Sequence, residues 1–267
     1  MTDIHVTAVV HPNAKVGINV KVGPFAFIDE HSDVGDGCII DAHAAVVGHT
    51  ALGEGCRLHS GAVIGGEPQD LAYKGDVSYV RVGKRCTFRE GVTVNRGTKP
   101  ETVTEVGDDC YLMATAHVGH NCKLGNRVII ANGTMLGGYV EIGDHAFISG
   151  AVTIHQFVKI GRLVMVGGAA GLSKDVPPFC LAQSMGRNVV AGLNIVGLKR
   201  AGFSPEERKH VKEAFKTLYQ SGMNVSQAVK HMKGLFSQGP ASEIAAFVEL
   251  SHRGICRFAE VDSAETE

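Results

Sequence analysis

Two histidines three residues apart, His117 and His120, lie in the stretch 114-ATAHVGHNCKLGNRVIIANG-133. An imidazole with an ordinary pKa near 6.5 can accept a proton from an attacking hydroxyl at neutral pH and return it to a leaving group. That is the chemistry of general-base catalysis in group transfer. Two histidines on a solvated strand need no such role, so the interpretation depends on the elements that position them.

Composition narrows the possible classes of function. The 267 residues carry a net charge of −1 with a pI near 6.9, which is not the electrostatic footprint of a nucleic-acid binder. The first residues, MTDIHVTAVV, lack the regions of a secretory signal, and no apolar run predicts a membrane span. Seven cysteines without a CxxC pair are typical of a reduced chain. We therefore expect a cytoplasmic protein.

A six-residue repeat dominates the first two thirds of the chain. Aliphatic residues recur at every sixth position over 10–64, 82–94 and 106–172, always in the same phase. A second row, four residues after each aliphatic, holds small residues and five of the cysteines, which is typical of a narrow interior. Glycine often follows the aliphatic residue, as at Gly17 and Gly53, and we expect it to turn a corner with positive φ.

Six residues cannot bury their own apolar face, so stacked units must share one core. Three units form a coil of 18 residues, and 10–175 then give about nine coils spaced by roughly 4.8 Å. The arithmetic places Gly138 one coil above His120. A histidine base beside the backbone N–H of a glycine, which has no side chain to block it, suits acyl transfer. The amide can stabilise the oxyanion of a tetrahedral intermediate.

Two insertions, 66–81 and 97–105, interrupt the repeat without changing its phase, which predicts loops that leave one corner of the solenoid. The repeat stops at 174-KDVPPF-179. Ser204, Pro205 and Glu207 then predict a capped helix that runs to Gly222, and further helices are expected around 225–236 and 240–251. We predict a mostly β solenoid domain (1–190), a small α-helical domain (191–258) and an acidic, frayed tail (259–267).

Longer motifs carry a family resemblance. HVGHNCKLGNR, GGEPQDLAYKGD, NRGT, TIHQFVKIG, VMVGGAAGLSKDVPPF and GLNIVGLKRAGFS resemble the UDP-N-acetylglucosamine O-acyltransferases of lipid A biosynthesis, over residues 5–255. The resemblance implies a left-handed parallel β-helix. It also implies transfer of an R-3-hydroxyacyl chain from acyl carrier protein to the sugar 3-position, without metal or cofactor, in a homotrimer with the site between solenoids.

Site residues follow from the same resemblance. It assigns the general base to His120, the oxyanion amide to Gly138, and a place in the acceptor site to His117. It counts Asp70, on the first loop, with the catalytic residues as well as with the substrate contacts. The other substrate contacts that it implies lie at Gln69 on the same loop, at the pair His155 and Gln156, and at Asn194 and Arg200 near the nucleotide. Gly168 matches a chain-length ruler, and glycine there implies an open groove and a long acyl chain.

Four positions depart from the family pattern. Asn121 stands where an Asp often follows the base, and its carbonyl oxygen can still accept the imidazole N–H. Tyr139 replaces a histidine, Ala72 a lysine and Val196 a glutamate. Because these positions touch substrate in the family, a 3-amino sugar remains an alternative acceptor.

A basic face in the helical region offers a docking surface for the acidic acyl carrier protein. It sets six basic residues against three acidic ones: Arg208, Lys209, Lys212, Lys216, Lys230 and Lys233 against Glu206, Glu207 and Glu213.

Other members of the repeat class predict different features. A zinc-dependent γ-class carbonic anhydrase carries an H-x4-H pair, which His117 and His120 do not match. The sister N-acyltransferase carries an extra N-terminal domain, for which we expect no room before Val10. Coenzyme A-dependent acetyltransferases lack the GLKRxGFS helix start. A non-catalytic scaffold predicts that His120→Ala changes nothing measurable.

Overall fold

A computed structural model of the protein describes residues 1–259. Its solenoid is a three-sided left-handed parallel β-helix, in which successive coils add one short strand to each of three sheets. His117 pairs with Met135 and Val118 with Leu136, each 18 residues later. The predicted fold class is confirmed.

The three sheets, which we call A, B and C, contain the following strands. Sheet A within the solenoid has Asp3–Ile4, Lys21–Val22, Ile39–Ile40, Arg57–Leu58, Thr87–Phe88, Tyr111–Leu112, Ile129–Ile130, Phe147–Ile148 and Met165–Val166. Sheet B has Val9–Val10, Phe27–Ile28, Ala45–Val46, Val63–Gly66, Thr93–Asn95, His117–Val118, Met135–Leu136, Thr153–Ile154 and Gly171–Leu172. Sheet C has Lys15–Val16, Asp33–Val34, His49–Leu52, Tyr79–Val82, Val103–Val106, Lys123–Leu124, Glu141–Ile142 and Lys159–Ile160.

The solenoid interior is built from the aliphatic row and the small-residue row, which are almost completely buried along most of its length. The row of cysteines belongs to this interior. Their thiols donate hydrogen bonds of 3.0–3.2 Å to glycine carbonyls of the following coil, as Cys122 does to Gly137. Burial raises the pKa of Cys122 to about 12, so this thiol stays protonated and unreactive at neutral pH.

The repeat glycines have a different role from the one that we predicted. Of those that directly follow a residue of the aliphatic row, only Gly65 has a positive φ. A Cβ on Gly53 would instead lie 2.5 Å from the carbonyl oxygen of Gly83, in the next coil. The left-handed residue comes two positions later, for example at Asn19 (φ +57°) and Asn121 (φ +60°). Glycine is therefore required for close approach between coils, and the turn itself is made elsewhere.

Four helices follow the solenoid: α1 (Ile195–Arg200), α2 (Pro205–Gln220), α3 (Val225–Leu235) and α4 (Pro240–Glu249). The predicted capping box of α2 is present, since Ser204 Oγ accepts from Glu207 N–H and the Glu207 carboxylate accepts from Ser204 N–H. The three longer helices lie where the sequence predicted them. Apart from Ala259, the predicted tail lies outside the described residues.

The sequence did not predict α1 or the extension of sheet A. Cys180–Ala182 joins Met165–Val166 in parallel and pairs antiparallel with Val189–Leu193, which spans the predicted domain boundary; Arg257–Phe258 then adds a last strand. Arg162 fastens the helical domain to the solenoid. Its guanidinium forms two bonds to the carboxylate of Glu243 (3.1 and 2.7 Å) and lies over the rings of Phe179 and Phe203.

No helix among residues 1–259 has the length and apolarity that a membrane span requires.

Candidate active site

One corner of the solenoid, between sheets B and C, carries the two histidines and both insertions. The first insertion connects Val63–Gly66 to Tyr79–Val82, and the second connects Thr93–Asn95 to Val103–Val106. The next coil makes the same turn between His117–Val118 and Lys123–Leu124, with His120 at its apex. The predicted common corner is confirmed, and it brings both loops beside His120.

Gly138 lies directly against the imidazole of His120. Tyr139 N–H donates to the carbonyl oxygen of His120 (2.9 Å), which fixes the two turns one above the other. A Cβ built on Gly138 would overlap Nε2 and Cε1 of the His120 ring. The coil arithmetic therefore located the pair correctly, and only glycine leaves space for the ring.

The imidazole of His120 is held between two side chains from different places in the sequence. Its Nδ1 lies 3.0 Å from Asn121 Oδ1, and its Nε2 lies 3.6 Å from Asp70 Oδ2. The side chain of His120 is only 13 % exposed. Asn121 Oδ1 also accepts a hydrogen bond from Thr98 N–H (3.0 Å), so the second loop reaches the histidine through this amide.

The first loop is fixed by Arg96. Its guanidinium donates to the carbonyl oxygen of Gly65 (3.1 Å), to Glu67 (3.0 Å) and to the hydroxyl of Tyr73 (2.9 Å). Asp70 lies between these anchors, and its Oδ1 accepts from the backbone N–H of Ala72 (2.9 Å). Its other carboxylate oxygen is thereby presented to His120.

His117 is half-buried on the outer face of sheet B. Its Nδ1 lies 2.8 Å from Thr93 Oγ1, in the preceding coil. Burial lowers its pKa below the ordinary value, and the nearby His120 lowers it further, because both disfavour the charged imidazolium. His117 is therefore a neutral polar group at neutral pH.

These residues open into a cleft of about 730 Å³ that runs along sheet B. Seven of the predicted site residues line it: Gln69, Asp70, His117, His120, Gly138, His155 and Gln156. It is also lined by residues that the sequence did not predict, among them Asn95, Met135, Thr153 and Arg187. Met135 and Thr153 follow His117 at intervals of 18 residues, so the coil length could have predicted their position in the cleft. Arg187 lies beyond the repeat, where the coil length predicts nothing.

Tyr139 lies on the other side of His120. Its ring meets the imidazole edge to face (5.3 Å between centroids) and stacks on Phe157 at 4.8 Å. It lines a neighbouring groove of about 620 Å³ beside sheet C.

Gly168, Asn194 and Arg200 do not line the His120 cleft of their own chain. Asn194 caps α1, where its Oδ1 accepts from Gly197 N–H (2.9 Å) and its Nδ2 donates to Leu163 O (2.9 Å). With Arg200 it lines a groove of about 760 Å³ beside sheet A. Within a single chain the predicted site residues therefore lie in separate places: most in the cleft on sheet B, Tyr139 beside sheet C, and Asn194 and Arg200 beside sheet A.

Within residues 1–259 no three His, Cys, Asp or Glu side chains are grouped closely enough to hold a metal ion.

Two family models match the sequence. Residues 104–138 match the hexapeptide repeat of bacterial transferases, and 175–256 match the second domain of the UDP-N-acetylglucosamine O-acyltransferases. The whole chain is also similar to solved structures. The UDP-N-acetylglucosamine acyltransferase of Campylobacter jejuni is 36 % identical, with 96 % of this chain and 100 % of that chain covered and a TM-score of 0.91. This chain belongs to the UDP-N-acetylglucosamine acyltransferase family.

Other UDP-N-acetylglucosamine acyltransferases match over the same extent. The Bacteroides fragilis protein is 39 % identical (95 % of this chain and 100 % of that chain covered, TM-score 0.90). The Francisella novicida protein is 34 % identical (99 % of each chain covered, TM-score 0.92). As a member of the UDP-N-acetylglucosamine acyltransferase family, the protein is an acyltransferase, and the cleft at His120 is its candidate active site.

Proposed function

We propose that the protein transfers an R-3-hydroxyacyl chain from acyl carrier protein to the 3-position of a UDP-N-acetylglucosamine-type sugar, in the cytosol, as the first step of lipid A biosynthesis. The observation that carries the proposal is the contact between His120 and the backbone of Gly138 at the edge of an open cleft. It brings a base and an oxyanion donor to one point, as acyl transfer requires.

The reaction begins with proton transfer. His120 Nε2 takes the proton of the sugar hydroxyl as its oxygen attacks the thioester carbonyl, and a tetrahedral intermediate forms. The intermediate collapses with cleavage of the C–S bond, and the imidazolium returns the proton to the thiolate of acyl carrier protein. Asp70 Oδ2, 3.6 Å from Nε2, stabilises the imidazolium in between.

The amide of Gly138 is available to the oxyanion. At another corner of the solenoid the equivalent backbone N–H groups are capped by the next coil, as Asn126 N–H is by Asp144 Oδ1 (2.7 Å). The position one coil above Gly138 is Gln156, whose side chain provides no such cap. Within residues 1–259, Gly138 N–H donates no hydrogen bond, so it can donate to a developing negative charge.

The rest of the cleft supplies acceptor and acyl contacts. We assign Gln69, Asp70 and His117 to the sugar, since these polar residues line the same cleft as His120, and His155 and Gln156 to the adjoining nucleotide and acyl region. Met135, half exposed on the floor of sheet B, offers an apolar surface to the chain.

We further propose a homotrimer in which two protomers build each site. His120 faces the cleft on sheet B, whereas Asn194 and Arg200 line the groove beside sheet A. Packing of one protomer's sheet B face against a neighbour's sheet A groove would bring the two sets together and exclude water. Gly168, outside the cleft in a single chain, is then assigned to the acyl groove of the assembly.

Acyl carrier protein is proposed to dock on α2. Lys209, Lys212 and Lys216 are exposed and follow one face of that helix, which suits an acidic partner.

The experiment is acyl transfer with the purified protein, R-3-hydroxymyristoyl acyl carrier protein and UDP-N-acetylglucosamine, with the product identified by mass spectrometry. The corresponding 3-amino sugar is offered in parallel. A 3-O-acylated product supports the proposal as written, and a product formed only from the amino sugar changes the acceptor. Absence of product with both sugars and a series of acyl lengths would refute the proposed function.

A further inference from the structure

We propose that Asn121 and Thr98 fix the neutral His120 ring in the tautomer with the proton on Nδ1, so that Nε2 is the nitrogen that accepts the proton of the substrate. This assignment rests on the proposed function and adds two positioning residues to it. It is carried by two nitrogens that meet at one oxygen: Asn121 Oδ1 lies 3.0 Å from Thr98 N and 3.0 Å from His120 Nδ1.

The direction of each hydrogen bond follows from the donors available. A backbone N–H can only donate, so the Asn121 atom that faces Thr98 must be the carbonyl oxygen. The same oxygen faces His120 Nδ1, and two acceptors cannot bond to each other. Nδ1 must therefore carry the proton, and a neutral imidazole then leaves its lone pair on Nε2, beside Gly138 and Asp70.

Burial and hydrogen bonds hold Asn121 in the position that this role requires. It is only 7 % exposed, and its own N–H donates to Thr104 Oγ1 at 2.7 Å. Its φ of +60° lies in the left-handed region, which Asn tolerates better than other side chains. The amide therefore cannot rotate away without losing buried hydrogen bonds.

The two inserted loops contribute separately to the orientation of His120 and to the stabilisation of its charged form, two roles that a single carboxylate could perform. The second loop, through Thr98 N–H, orients the ring by way of a neutral amide at Nδ1. The first loop brings a charge to the opposite nitrogen, where Asp70 supplies the one carboxylate within 4 Å of the ring among residues 1–259. Orientation of the base and stabilisation of its charged form thus come from separate residues.

The tautomer can be observed without substrate. In ¹⁵N-histidine-labelled protein, the Nδ1 and Nε2 signals report which nitrogen carries the proton, and His120→Gln assigns them by their loss. Wild type is expected to show Nδ1–H. Asn121→Gly removes the side-chain amide, and glycine readily adopts the positive φ of this position. This variant is expected to show a mixture of tautomers. Asn19→Gly, at the same turn position in a remote coil, is the matched control and leaves the signals unchanged.

Kinetics give a second readout. Asn121→Gly is expected to lower kcat about tenfold to a hundredfold with little change in KM, since substrate contacts remain. Asn121→Asp keeps an acceptor at Nδ1, so it is expected to restore the Nδ1–H signal and most of the turnover that Asn121→Gly loses.

Wild-type Nε2–H, or an Nδ1–H signal and a kcat that Asn121→Gly leaves unchanged, would overturn the assignment. These results are separable from a failure of the proposed function, because the nitrogen signals decide the tautomer even if the enzyme uses other substrates.

Discussion

His120 Nε2 lies 3.6 Å from Asp70 Oδ2, although Asp70 belongs to an inserted loop two coils earlier in the solenoid. The distance is too long for a direct hydrogen bond and short enough for a strong charge interaction at a partly buried site. Asp70 is thus placed to stabilise an imidazolium and to meet the group that gives up the proton.

Asp70→Asn tests this relationship. We expect kcat/KM at neutral pH to fall by about tenfold to a hundredfold, because the charged intermediate form of His120 loses its carboxylate. Asp76→Asn, on the same loop, is the control and should leave kcat/KM unchanged.

Gly138→Ala should abolish most activity while the fold persists. The new methyl group would overlap the His120 ring and displace the base from its place against this glycine, although Ala keeps the backbone N–H. Loss of a positioned general base corresponds to about 10²–10⁴ in kcat. Gly192→Ala, where an added Cβ has no neighbour within 4 Å, should behave as wild type in both turnover and thermal unfolding. An active Gly138→Ala enzyme would contradict the proposed placement of the base against this glycine.

His117 should titrate below its ordinary pKa near 6.5. Burial and the charge of His120 lower the pKa of His117 in the folded state. The His117 imidazole therefore binds a proton more tightly in the unfolded chain than in the folded one. Its contribution to the free energy of unfolding is therefore complete above pH 6.5 and is lost as the pH falls through the lowered value. Thermal midpoints measured between pH 7.5 and 5 should decline less steeply for His117→Gln than for wild type. The exposed His5→Gln serves as the control, and identical slopes for wild type and His117→Gln would refute the prediction.

Mixed assemblies test whether two protomers share a site. His120→Ala and Arg200→Ala chains, each nearly inactive alone, are coexpressed with different tags and the mixed species isolated. If sheet B of one protomer meets the sheet A groove of the next, some sites combine an intact His120 with an intact Arg200, and activity returns. If each site lies within one chain, every site carries a defect and mixing restores nothing.

Much of this fold follows from one periodicity. The six-residue aliphatic repeat fixes the coil length, the coil length fixes the 18-residue pairing, and that pairing places Gly138 on His120. The α2 helix was equally predictable from the sequence, because its capping box is a local signal. These predictions succeed where the structure depends on residues at fixed spacing.

The rest depends on contacts that spacing does not encode. Asp70 and Thr98 reach the histidine from loops outside the repeat, and Arg187 enters the cleft from a segment after it. The role of the repeat glycines was mispredicted for a related reason. Their constraint comes from the backbone of the next coil, whereas we inferred it from the local turn.

The most direct measurement is the turnover of His120→Ala beside wild type, with acyl carrier protein thioester and UDP-sugar at saturating concentrations. Circular dichroism and sedimentation are used to show that the variant keeps the fold and assembly of wild type. General-base catalysis by His120 predicts a fall in kcat of at least about a hundredfold in a folded variant. Equal turnover by the two proteins would contradict the account, since no other imidazole of the described cleft lies against Gly138.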